Sequence, residues 1–234
     1  DTEVDQMVLD FPIMADYAEN GFVAKLPGNI DDKYATMRAA YAFGMLYPGK
    51  KLNISGIDSL VSKRTKKAKD NDYSLGMEAL ISKMNELYKS EVLLSGTDDK
   101  TDGLAWINHE ADVSNVITGI RKGNKKNEIL YMVANFSDKD YEALNITVPM
   151  AGKYKEILST DDVCYCGTGC CNEKEIATQE KPYDESSNTL MLKSASMSVS
   201  IFSYKPFTAK ELAEIAEHKR QLRIAYVKSE RAKI

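Results

Sequence analysis

Asn115-Val116-Ile117-Thr118-Gly119-Ile120-Arg121, the pair Gly123-Asn124, and Glu128-Ile129-Leu130-Tyr131-Met132-Val133-Ala134-Asn135 form the stretch whose reading decides the fold. Val116, Thr118 and Ile120 share one face of an extended chain, because side chains alternate with a period of two. Gly123-Asn124 is a turn signal between two β-prone runs. The same pattern recurs on either side, at Gly103 to Asn108, Ala143 to Val148, Lys153 to Leu158, Thr189 to Lys193 and Met197 to Tyr204. Leu144, Ile146 and Val148 again share a face, separated by Asn145 and Thr147. Ser137-Asp138 and Ala151-Gly152 supply further turns. Seven short strands with turn signals between them predict an antiparallel sandwich. The half-polar alternation predicts sheets with one wet face and few strands buried on both sides.

Before about Ser95 the period is 3.6. Leu26-Pro27-Gly28-Asn29 signals a turn, and Asp31 and Asp32 suit the positive first turn of a helix. Tyr34, Met37, Tyr41 and Met45 follow at helical spacing until Tyr47-Pro48-Gly49 stops the pattern. A second helix carries Met77, Leu80, Ile81, Met84, Leu87 and Tyr88 as one stripe, with Ser74 as its expected N-cap. Two short apolar runs, Met7 to Phe11 and Lys51 to Ser55, suit strands. Ser62 to Asp72 is nearly all polar and reads as a solvated loop. Beyond Phe207 the chain turns helical again. Thr208 and Glu211 have capping-box spacing, and Leu212, Ile215, Leu222 and Tyr226 make a broken stripe. The heptads are too few for a long coiled coil, so this tail reads as docked on its own domain or running into solvent.

The boundaries that follow are a helix-rich part at 1–95, an all-β part at 96–206 and a C-terminal helix at 207–234. With 31 Lys and Arg against 35 Asp and Glu, the formal net charge is -4. Such a balance gives no electrostatic reason to bind nucleic acid. No apolar run reaches the roughly 20 residues that span a bilayer, and no secretory signal is visible, so no membrane partner and a cytoplasmic location are expected. The chain opens on Asp1 rather than Met, which suggests a preceding portion.

Sites are sparse. Cys164, Cys166, Cys170 and Cys171 lie within eight residues. Four thiolates can hold zinc tetrahedrally, but adjacent Cys170 and Cys171 strain a single tetrahedron, so no metal is expected and the four rank only as weak ligands. A small metal-binding module stays a minor alternative. His109 and His218 read as surface residues. No Gly-rich phosphate loop follows a strand, and no cofactor is expected. Asp10 and Asp58 stand near ends of candidate strands, which alone is no glycosidase pair. Trp106 and Tyr165 are the candidate glucan contacts, through stacking on sugar rings. Trp106 is expected in the core and Tyr165 exposed.

Several runs share one resemblance. They are Lys33-Tyr34-Ala35-Thr36-Met37-Arg38-Ala39-Ala40-Tyr41-Ala42-Phe43, Tyr47-Pro48-Gly49-Lys50-Lys51-Leu52, Gly103-Leu104-Ala105-Trp106-Ile107, Val133-Ala134-Asn135-Phe136-Ser137 and Gly152 to Asp161. Tyr165, Gly167-Thr168-Gly169 and Asn172 continue it. In order and spacing over roughly 200 residues the chain resembles bacterial 1,4-alpha-glucan branching enzymes. The resemblance implies an α+β arrangement. A C-terminal antiparallel β-sandwich of alpha-amylase type would follow a helix-rich partial (β/α)8 barrel remnant. Met7 to Phe11 would be barrel strand seven and Lys51 to Ser55 strand eight.

The departures are as telling. Where the resembled family carries a His-Asp pair after strand seven, this chain reads Leu9-Asp10-Phe11-Pro12. After strand eight it reads Gly56-Ile57-Asp58-Ser59-Leu60 in place of a glutamine-glutamate motif. The family's nucleophile and general acid belong upstream of this sequence. The expectation is therefore a portion of a branching-enzyme-like protein with no catalytic residue of its own. Its candidate partners are alpha-glucan, a second copy or an upstream barrel domain. The alternative is a non-catalytic glucan-binding or protein-interaction module.

Overall fold

The structure, a computed structural model, describes residues 28–49, 51, 68–97, 103–108, 115–123, 125, 127–181 and 184–231. The expected strands at Met7 to Phe11 and Lys51 to Ser55, with Asp10, Asp58 and His109, lie outside the described residues, Lys51 itself excepted. Among the described residues there is no closed barrel.

Helix α1, Ile30–Leu46, starts at Asn29, whose side chain accepts from the backbone N–H groups of Asp31 and Asp32 while Asp32 accepts from Asn29 N–H. This reciprocal cap fixes the first turn. All of Tyr34, Met37, Tyr41 and Met45 are buried, and so are Ala39, Ala42 and Phe43 on other faces. Helix α2, Ala68–Ser90, buries Met77, Leu80, Met84 and Leu87. It begins before Ser74, so Ser74 lies inside the helix and is not its cap. The residues from Lys69 to Asp72 are polar, and the apolar stripe starts later than the helix does. A single turn, α3, covers Val92–Ser95.

Nine strands follow. They are β1 Leu104–Asn108, β2 Val116–Lys122, β3 Ile129–Asn135, β4 Tyr141–Val148, β5 Lys153–Ser159, β6 Ile176–Ala177, β7 Gln179–Lys181, β8 Asp184–Ser194 and β9 Ser198–Lys205. One sheet runs β1-β2-β3-β9-β5-β6 and the other β4-β8-β7, every pairing antiparallel. All seven expected strands are present. β6 and β7 are too short to leave a periodic signal. β8 begins five residues earlier than expected because Asp184–Asn188, polar in sequence, pairs back on β7.

The expectation of sheets with one wet face is corrected for the larger sheet, whose central strands are covered on both sides. Every residue of β3 is buried, and in β2 only Lys122 is exposed. The larger sheet is the middle layer of three. One face presents Val116, Ile120, Tyr131, Val133 and Phe202 to Leu144, Ile146, Val148, Leu190 and Leu192 of the smaller sheet. The opposite face presents Ile117, Leu130, Met132, Leu158, Val199 and Ile201 to α1 and α2. Small hydroxyl residues such as Thr118, Ser198 and Ser200 occupy buried positions that read as wet in the sequence. Burial of each large apolar side chain stabilises by about 1.5–3 kcal/mol, so the helical layer depends on this seam.

The last helix, α4, Ala209–Arg231, starts with the Thr208–Glu211 capping box expected from the sequence. It runs into solvent: from Ala216 to Lys228 each residue whose burial is described is exposed.

Candidate functional site

The chemistry-bearing residues gather at the seam between helices and sandwich, in the segment from Ser159 to Asn172. Arg38 of α1 crosses the seam. Its Nε donates to the Thr160 carbonyl at 2.9 Å, and its guanidinium lies 3.9 Å from the Asp161 carboxylate. Burial lowers the Arg38 pKa and the charge of Asp161 opposes that shift. Asp161 is itself a hub. Its carboxylate accepts from Thr168 N–H (3.1 Å), the Thr168 hydroxyl (2.5 Å) and Cys170 N–H (3.1 Å). Its carbonyl accepts from Gly169 N–H. A buried carboxylate so surrounded is hydrogen-bonded at both oxygens and holds the loop in one conformation. Gly167 is required there, since a Cβ would collide with the Asp161 carbonyl group.

Between these anchors, Val163–Tyr165 makes one 3-10 turn capped by the Asp162 side chain. Cys166 follows in the left-handed region, and its Sγ donates to the Asp72 carbonyl of α2 at 3.1 Å. Gly76 lets α2 approach: a Cβ there would meet the Tyr165 carbonyl carbon at 2.8 Å. Tyr165 is only 8% exposed and belongs to the helix-side core. Its expected exposure is thereby corrected. Burial, with the nearby Cys164 and Asp162, pushes its phenol pKa far up. Trp106 is half-buried and packs against the helix-side core, as expected. Its ring lies 6.0 Å from Phe43 at 17°, over Gly119 on the neighbouring strand, where a Cβ would come within 3.2 Å of the indole. These packed rings do not form a paired aromatic platform.

Three of the four thiols, Cys164, Cys170 and Cys171, sit where the thiolate is disfavoured. Burial raises the pKa of Cys164, aided by Asp162, and of Cys170, aided by Asp161, Glu142 and Asp140. It pushes the Cys171 thiol up to about 11. Nucleophilic or metal-binding thiolates need the opposite environment. All four cysteines are free, and among the described residues no three His, Cys, Asp or Glu side chains converge as a metal site requires. His218 is exposed on α4.

Two further residues complete the seam. Asn172 Nδ2 donates to Glu156 and to the Lys193 carbonyl, and its Oδ1 accepts from Lys193 N–H, tying the loop to both sheets. Burial raises the Glu156 pKa against the hydrogen bonds from Asn172. In the sequence Arg121 stands only at a strand end. Its side chain, 1% exposed, donates to the Leu46 carbonyl (2.9 Å), the Leu94 carbonyl (3.0 Å) and the Thr97 hydroxyl (2.7 Å). The first two are carbonyls at the C-terminal ends of α1 and α3, where a cation is favourable. Nothing in the sequence around Arg121 marks this role, because all three partners lie far along the chain.

A three-layer arrangement whose buried polar groups serve to lock helices onto a sandwich defines a structural domain. Residues 106–205 match the alpha amylase, C-terminal all-beta domain family. Among individual proteins, the chain is 29% identical over 175 residues to the 1,4-alpha-glucan branching enzyme GlgB of Geobacillus stearothermophilus, covering 71% of this chain and 27% of that enzyme. It is 30% identical over 194 residues to the GlgB of Oceanobacillus iheyensis, covering 80% and 30%. For the Rhodopseudomonas palustris GlgB the figures are 29% over 171 residues, 70% and 24%. The chain thus spans under a third of the length of these relatives. Because 71% of this chain is about 166 residues and only 131 lie from Leu104 to the end, the likeness extends into the helical part. No helix among the described residues is long and apolar enough to cross a membrane.

Proposed function

We propose that this chain is the C-terminal portion of a 1,4-alpha-glucan branching enzyme-like protein. In this reading the sandwich clamps the closing helices of an alpha-amylase-type barrel, and the chain alone neither branches nor hydrolyses glucan. The observation that carries it is the seam itself. Arg38 and Arg121 cross it in opposite directions, and the similarity to branching enzymes runs through both sides. A helix of a (β/α)8 barrel has an apolar inner face and, where another domain covers it, an apolar outer face as well. α1 is buried on several faces, as a helix in that position would be.

Retaining glycoside chemistry needs a nucleophilic carboxylate and an acid about 5 Å apart on a rigid frame. Among the described residues the buried carboxylate Asp161 is consumed by Arg38, Thr168 and Cys170. It is a fastener, buried and hydrogen-bonded within its own loop. Incubation with amylose, following reducing ends and the iodine-complex spectrum together, is expected to show no change. Turnover lost on Asp10→Asn or Asp58→Asn would contradict the reading.

A further inference from the structure

We draw no further inference here: the strongest candidate, the four-thiol cluster in the loop between β5 and β6, where Cys166 faces α2, belongs to the site already described, its sulfur contact with the Asp72 carbonyl serving the seam, and among the described residues no metal-ligating set converges on it.

Discussion

Arg38 and Arg121 face each other's elements across one seam, and neither role is visible in the sequence. Arg38 stands in a helical run and Arg121 at the end of a strand, and each reads as ordinary because burial and long-range partners leave no periodic trace. Asp161 is legible as part of a motif, but its work as a hub depends on loop atoms seven and nine residues on. Replacing it by Ala would leave the buried Arg38 charge without its carboxylate and free Thr168 and Cys170 donors. The expected loss is about 3–5 kcal/mol, in the range for breaking a buried pair. Asp161→Asn, which keeps an acceptor, should lose less, both read from urea midpoints. Equal losses would show that the charge is immaterial. Arg121→Met would orphan the Leu46 and Leu94 carbonyls, at about 1–3 kcal/mol for each buried group left unsatisfied. A neutral result would remove Arg121 from the seam's energetics.

Elements are easier to read than their surroundings. The switch of period near Ser95, the Asp-rich start of α1 and the Thr208–Glu211 box each name an element correctly, because these signals are local. The start of α2 escapes such a reading because polar helical turns look like loop, and the doubly covered sheet escapes it because hydroxyl residues look wet. At this scale Gly76→Ala is expected to cost about 1–3 kcal/mol, since a Cβ meets backbone on the facing 3-10 turn and α2 must shift. Hydrogen exchange should then quicken in α2 before the sheets, and unchanged protection would show that the turn yields freely. The root of α4 offers a titration. Glu211 is held at about 2, against an ordinary 4.5, chiefly by its hydrogen bond from Lys153 and then by those from Thr208. A depressed carboxylate stabilises above its unfolded value and loses that contribution as pH falls through the folded one. The root of α4 should therefore loosen as pH drops from about 4.5 toward 2. A carboxyl-carbon NMR titration should give Glu211 a midpoint well below the other glutamates, moving up in Lys153→Met. A normal midpoint in the unaltered chain would mean that the ion pair does not form in solution.

At the scale of the molecule, the sandwich and the helices are each legible in the sequence, but their union is not. Boundaries drawn from periodicity separate 1–95 from 96–206, whereas the core on the helix side of the larger sheet draws on both. The sandwich on its own would bare Ile117, Leu130, Met132, Val199 and Ile201, a patch that invites association. The central claim, that helices and sandwich are locked into one unit, has a built-in reporter. Trp106 is the only tryptophan in the chain and stacks on Phe43 of α1 at the seam. Equilibrium unfolding of the whole chain in urea, followed by Trp106 fluorescence and by far-ultraviolet circular dichroism, is the direct measurement. The two curves are expected to coincide, with one midpoint and one slope, as a single cooperative unit requires. A fluorescence transition at lower urea, with the strand signal still intact, would show helices leaving a sandwich that stands without them and would contradict the account.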